Sequence, residues 1–136
     1  MESAALRLVM AALLSAVIGF ERELTHKAAG LRTHMLVGLG AALFTIVGQQ
    51  LSGDTRIPAQ VVTGVGFLGA GAIFREGMSV KGLTTAAGLW TVAAIGMSSG
   101  AGFVLLAVVA TAVALAILFI LRPFDRRLHR TGGTED

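Results

Sequence analysis

Charged side chains in this sequence gather at the edges of apolar runs. Glu21, Arg22 and Glu23 end one run, Arg32 and His34 precede the next, Arg75 and Glu76 end a third, and Lys81 stands just before a fourth. Charges at a bilayer edge face protein or water and pair with one another. Two readings follow. These residues form a cytoplasmic site for an anion, a cation or a partner loop, or they form ion pairs that fix loop conformation. The second is favoured, because edge charges commonly serve as anchors. Glu23 and Lys27 would pair at i,i+4 on a helix that continued past them. A hard cation such as Mg²⁺ requires several converging oxygens. Glu21, Glu23 and Glu76 could supply them, but Arg22, Arg75 and Lys81 compete for the same carboxylates, so no metal site is expected. His26, His34 and His129 have no carboxylate at a ligand spacing and are expected to face solvent or headgroups. There is no Cys, which excludes disulfides, zinc–thiolate sites and thiol catalysis. No nucleophile is accompanied by a base and an orienting group. The residues point to no catalytic site, no cofactor and no enzyme.

Glycines form the second pattern. Gly64-x-Gly66-x-x-Gly69-x-Gly71 carries the letters of a dinucleotide fingerprint, but its flanks are membrane-apolar and no βαβ unit surrounds it. Helix packing accounts for it better. Thr63, Gly66, Gly69 and Ala72 recur every three residues, Gly66 and Ala70 form a small-xxx-small pair, and Ala87 and Gly88 offer a similar surface further on. Small residues let helix backbones approach closely inside a bilayer. Such a surface serves packing within the chain, between copies, or against a partner, and the sequence does not rank these. Gln60 and Thr63 are expected to hydrogen-bond between helices, and Trp90, lying in mid-segment, to pack against a neighbour.

The elements that must hold these residues are membrane spans. Hydrophobic residues make up 54% of the 136-residue chain and charged residues 14%, against roughly 25% charged in soluble domains. Mean hydropathy is +0.79. A soluble domain this short could not bury so much apolar surface. The basic pI near 10.6 raises the question of nucleic acid, but the basic residues sit between apolar runs and read as topology signals, so no nucleic-acid partner is expected. Five spans emerge in an all-α bundle: Ala4–Phe20, Met35–Leu51, Ala59–Phe74, Leu83–Met97 and Ala101–Leu121. A span takes about 17–25 residues, so the third and fourth must borrow flanking residues. Pro58 suits the first turn of the third helix, Thr84 or Thr85 would cap the fourth, and Pro123 ends the fifth. The first segment lacks a clear cleavage site, and Glu2 spoils a signal-peptide n-region, so it is read as a retained span. A re-entrant fourth segment would leave four spans. Residues 1–121 are thus the membrane domain, and 122–136 a short, charged, frayed tail.

Lys and Arg set the orientation. The loops after the first and third spans and the tail carry Arg22, Lys27, Arg32, Arg75, Lys81, Arg122, Arg126, Arg127 and Arg130. The other side carries Arg56, with Arg7 ambiguous. The positive-inside rule places the N-terminus outside and the C-terminus in the cytoplasm. The two cytoplasmic corners also resemble each other. Phe20-Glu21-Arg22, Lys27 and Gly30-Leu31-Arg32-Thr33 parallel Phe74-Arg75-Glu76, Lys81 and Gly82-Leu83-Thr84-Thr85, as in a parallel repeat of two hairpins. The repeat predicts that both corners lie together.

Three stretches, Gly19–Val37 (GFERELTHKAAGLRTHMLV), Arg56–Phe74 (RIPAQVVTGVGFLGAGAIF) and Gly77–Gly96 (GMSVKGLTTAAGLWTVAAIG), resemble the MgtC/SapB family of bacterial membrane proteins. The resemblance implies an inner-membrane protein of four or five spans linked to growth in low magnesium. At least one member acts by binding and restraining the ATP synthase through its membrane sector, and direct Mg²⁺ transport has been proposed for the family. Longer members carry a soluble C-terminal domain of ACT-like fold, and no role of such a domain is expected from these 136 residues. Two functions follow as expectations. The first is a non-catalytic membrane modulator that binds another integral membrane protein, such as the ATP synthase. Its helix faces would include Gly64, Gly66, Gly69, Ala70, Gly71 and Gly88, and Glu21, Arg22, Glu23, Arg32, Arg75, Glu76 and Lys81 would shape its loops. The second is a small homo-oligomeric channel or transporter for Mg²⁺ or another ion. Membrane lipid is a partner in either case.

Overall fold

A computed structural model describes residues 3–52 and 55–131. Six helices and a short hairpin follow in order: α1 (Ala4–Leu24), α2 (Leu31–Ser52), α3 (Arg56–Gly71), β1 (Phe74–Glu76), β2 (Ser79–Lys81), α4 (Leu83–Gly100), α5 (Val104–Ile120) and α6 (Arg122–Thr131). Three segments are long and apolar enough to cross a membrane: Ala4–Leu24, Leu31–Leu51 and Val104–Phe124. At 16 and 18 residues, α3 and α4 are shorter than a usual span.

α4 stands at the centre and packs against α1, α2, α3 and α5. Its buried residues, from Thr85 through Leu89, Val92, Ala93, Ile95 and Gly96 to Gly100, share one broad face covering about half of the helix circumference. The other face, with Ala87, Trp90 and Ala94, opens outward. α4 also runs from end to end of the bundle. Arg22 of α1 meets Thr85, while Arg7 donates from Nη1 to the Gly100 carbonyl (3.2 Å) and Ser99 Oγ donates to the Arg7 carbonyl (2.8 Å). These contacts pair α1 with α4 antiparallel over about 22 Å of helix.

Glycine makes the central contacts. A Cβ on Gly96 would overlap the Gly38 backbone, one on Gly38 would overlap Ser15 Oγ, one on Gly100 would lie 2.6 Å from the Ala42 carbonyl oxygen, and one on Gly19 would lie 2.8 Å from His34 Cβ. Gly38-x-x-x-Ala42 on α2 thus faces Gly96-x-x-x-Gly100 on α4. Two apolar clusters flank this seam. Ile18, Val92, Ile95 and Ala107 join α1, α4 and α5, whereas Ala41, Val61, Val65 and Ala93 join α2, α3 and α4. Three buried hydroxyls turn back on their own helices: Ser15 donates to Ala11, Thr45 to Ala41 and Thr111 to Ala107, at 2.6–2.8 Å, which spends their donors within the helix.

Bulky apolar side chains cover the outside, Phe67 at 82% exposure and Leu105 at 77% among them. Trp90 joins this outer surface instead of packing inward. Three further expectations are corrected. The loop after α3 contains an antiparallel hairpin, Phe74–Lys81, Arg75–Val80 and Glu76–Ser79. Gly77, at positive φ, takes the first position of its two-residue turn, where Gly is favoured. Gly82, in the left-handed region, stands at the N-cap of α4 without a side-chain cap, and Thr85 points into the bundle instead of capping. Through Thr131, the tail is helical, not frayed. Pro123 ends α5 and also fits the first turn of α6, where its missing N–H costs nothing.

The glycine seam generates a direct test. Gly96→Ala places a methyl against backbone that cannot rotate away, and overpacking of this kind costs about 1–3 kcal/mol or more. Gly64→Ala, whose Cβ would meet nothing within 4 Å, serves as control. In detergent, the melting temperature read by circular dichroism should fall for Gly96→Ala and not for Gly64→Ala; equal melting would refute the seam.

Candidate functional site: a buried polar cluster at one end of the bundle

The inner stripe of α1 runs through Ala11, Ser15, Ile18 and Gly19. Continued at helical spacing, it turns the last polar residues, Glu21 and Arg22, into the protein, each 4% exposed. Gly19 lets the start of α2 come close, which delivers His34 at 0% exposure. Thr85 arrives from the first turn of α4, and Arg122 from the junction of α5 and α6.

Arg22 Nη2 donates to Thr85 Oγ1 at 3.0 Å, and its Nη1 lies 3.8 Å from Glu21 Oε2. Glu21 Oε1 accepts from Arg122 Nη2. The Arg122 guanidinium also lies 5.2 Å from the centre of the Phe119 ring, within the range of a cation–π contact. One carboxylate therefore serves two guanidinium groups, and α1, α4 and the α5–α6 junction meet at this point. His34 Nδ1 lies 2.8 Å from the Gly30 carbonyl oxygen, which can only accept. Nδ1 therefore carries the proton, and in the neutral ring Nε2 presents a lone pair. Nε2 points toward Gly88, where an added Cβ would lie 3.8 Å away. His34 Nε2, Glu21 Oε2 and Arg22 Nε are buried without a hydrogen-bond partner.

This arrangement can hold helices in place, because separating any one of them would strand a buried charge. It is poorly suited to a hard cation, since Glu21, the one buried carboxylate among the described residues, is already held by two arginines. Among the described residues no group of three or more His, Cys, Asp or Glu could hold a metal ion.

Comparison with known proteins gives the cluster a lineage. A sequence model of the MgtC family matches residues 8–127. The chain belongs to the MgtC family. It is 52% identical over 120 residues to Protein MgtC of Brucella abortus (strain 2308), covering 86% of this chain and 50% of that protein. It is 47% identical over 127 residues to Protein MgtC of Salmonella typhimurium, covering 92% and 55%. It is 43% identical over 134 residues to the "Putative magnesium transporter YhiD" of Escherichia coli K12, covering 90% and 62%. The chain thus spans about half the length of the curated MgtC relatives it matches. No solved structure matches.

Within this MgtC-family bundle the residues singled out from sequence separate. Glu21 and Arg22 enter the cluster. Glu23 is exposed, and its Oε2 accepts from Leu31 N at 2.9 Å, capping α2. The expected Glu23–Lys27 helical pair does not form, because α1 ends at Leu24 and His26 takes a positive φ. Arg32 is exposed. Arg75 donates from Nε to the Gly77 carbonyl at 3.1 Å within the hairpin. Lys81 lies on exposed β2, and the Glu76 side chain lies outside the described residues. Of the small residues, Gly69 packs against Ala86 and Gly88 lies beside His34, while a Cβ added to Gly64, Gly66 or Gly71 would meet nothing within 4 Å and Ala70 is exposed. Both repeat corners lie at the cluster end, across a cavity of about 380 Å³ lined by Ala29, Thr33, Ala72 and Phe74. His34, expected at a solvated surface, is instead buried, with Gly19 of α1 and Gly88 of α4 beside it. Thr85 and Arg122 have no mark in the sequence as companions of Arg22 and Glu21, since only the fold brings them near.

The cluster's holding role can be measured. Glu21→Gln leaves the buried Arg22 and the partly exposed Arg122 without their anion and should cost about 3–5 kcal/mol, while Thr85→Val should cost about 1–3 kcal/mol. Unfolding by SDS in mixed micelles reads both. In a double-mutant cycle, Glu21→Gln and Arg122→Gln should be non-additive, and additivity would dissolve the proposed link between α1 and α6.

Proposed function

We propose that this protein is a non-catalytic component of bacterial magnesium homeostasis that sits in the inner membrane and modulates a second integral membrane protein. The observation that carries this reading is the state of α3. It buries only Pro58, Val61, Val65 and Gly69, and it leaves Thr63, Gly64, Gly66 and Ala70 open to the membrane. Beside them, α2 and α3 enclose an almost wholly apolar groove of about 560 Å³, with Gly40 and Gly64 facing it between Phe44, Gln60 and Leu68. Small residues exposed to lipid are suited to close approach by another helix. The ATP synthase membrane sector, which the family resemblance suggests, is the first partner to test.

Magnesium enters through the name of the Escherichia coli relative. Orientation follows the charges. Arg22, Lys27, Arg32, Arg75, Lys81, Arg122, Arg126 and Arg127 fall at the cluster end, and Arg7 and Arg56 at the other, so the cluster end is assigned to the cytoplasm and the N-terminus to the outside. The same relative's name favours a second reading, an oligomeric Mg²⁺ channel or transporter. Against it stand three buried hydroxyls bonded to their own helices and the engagement of Glu21 by arginine.

Cross-linking in native membranes discriminates. Gly66→Leu should abolish cross-links to the partner while the protein still accumulates in the membrane. Unchanged cross-links, or Mg²⁺ flux by the pure protein in liposomes, would overturn the modulator reading.

A further inference from the structure

Three buried polar atoms of the cluster make no hydrogen bond within the protein: His34 Nε2, Glu21 Oε2 and Arg22 Nε. The packing sets their side chains in adjacent layers. Gly19, which meets His34 Cβ, stands one turn before Arg22 on α1, and Gly88, which faces Nε2, stands one turn after Thr85 on α4. The ring therefore lies about 5 Å further into the bundle than the Arg22–Thr85 bond. Arg22 and Glu21, both on α1, are the charges that act on it. α4 carries no charged residue. Glu23 is spent on Leu31 N, Arg75 on its own hairpin, and His26, Lys27 and Arg32 are exposed. From the α5–α6 junction comes Arg122, which reaches Glu21 and not the ring.

We propose that His34 and Glu21 form a buried proton-binding site whose filling loosens α6 from α1. In the unloaded site Nδ1–H donates to the Gly30 carbonyl and Nε2 keeps its lone pair. A proton from cytoplasmic water takes up that lone pair, making an N–H bond and a third cation around one carboxylate. The new donor needs an acceptor, and the buried acceptor without a partner is Glu21 Oε2. Turning Oε2 toward the ring draws the carboxylate away from its arginines. The Arg22 side chain, 5% exposed, cannot reach water, but that of Arg122 is 32% exposed and can hydrate. Arg122 is therefore the group that leaves, and the start of α6 leaves with it. A buried cation without its anion is costly, so the exchange answers the new charge. The inference is independent of the modulator reading, since it concerns α1, α2 and α6 and not the open face of α3.

The chain has no cysteine, so a pair of spin labels can be introduced without removing any native thiol. Leu24 on α1 and Phe124 on α6 are exposed and flank the Glu21–Arg122 contact. With labels on Leu24→Cys and Phe124→Cys of the full chain in nanodiscs, double electron–electron resonance should give a narrow distance at about pH 8 and a longer, broader distribution at about pH 5. His34→Gln, which cannot take the proton, should keep the narrow distance throughout, and His26→Gln should leave the transition in place. Arg122→Gln should show the broad distribution at every pH. In the chain without labels or substitutions, the ¹⁵N resonance of His34 Nε2 should move from its lone-pair to its N–H position over the same range, a reading that depends on no variant folding. A resonance that stays in place would overturn the proposal. So would distances that do not change with pH, or a transition that survives His34→Gln and so belongs to Glu21 alone.

Discussion

Gly38 stands where three helices meet. Ser15 of α1 presses on it from one side and Gly96 of α4 from another. In water, the loss of apolar surface would drive such an association, but in a bilayer lipid chains are as apolar as leucine, and helices gain by packing more tightly than lipid can. A methyl group at the α2–α4 contact would separate the two backbones and weaken every van der Waals contact along the seam. The position of α4 at the centre, shorter than a standard span, depends on this closeness.

Close backbones also make the polar cluster tenable. Arg22 reaches Thr85 because α1 and α4 run antiparallel and near, and His34 fits because Gly19 has no side chain where the two helices touch. Buried charge is costly unless it is paired with good geometry. The cluster answers that cost by gathering two arginines on one carboxylate at the end of the bundle, near the membrane surface. An ion pathway would require the reverse arrangement, with charges or hydroxyls left open along a route. Here the hydroxyls of Ser15, Thr45 and Thr111 are bonded within their helices, and the carboxylate is occupied.

Much of this fold could be read from the sequence, because lipid imposes a simple rule on composition. The spans were located to within a few residues, apart from the first helix, which runs on through Glu21, Arg22 and Glu23, and the second, which already begins at Leu31. Hydropathy falls there while the backbone continues to coil, so a polar helix end looks like a loop. The same blindness suggested a Glu23–Lys27 pair on a helix that stops between them. The close contacts were legible in part. Gly96-x-x-x-Gly100 and Gly38-x-x-x-Ala42 carry the same small-xxx-small spacing as Gly66–Ala70, but spacing does not tell which small face meets protein and which meets lipid. His34 was out of reach for a different reason. Its burial depends on the close approach that Gly19 allows on another helix, and no local pattern around residue 34 encodes it.

The two flanking helices show why an open face need not be an empty one. α5 buries only Ala107 and Thr111, as sparing a contact as that of α3. It exposes Leu105, Val109 and Ile117, branched side chains that lipid tails solvate well. α3 exposes Gly64 and Gly66, where lipid must fill shallow hollows along a nearly bare backbone. Fluid chains do that poorly and lose freedom in doing so, whereas a second helix with complementary ridges does it at little further cost. α3 is also the less apolar of the two, with Gln60 and Thr63 on its exposed side. Shape and polarity together suit the face of α5 to lipid and support the proposal that a protein neighbour covers α3.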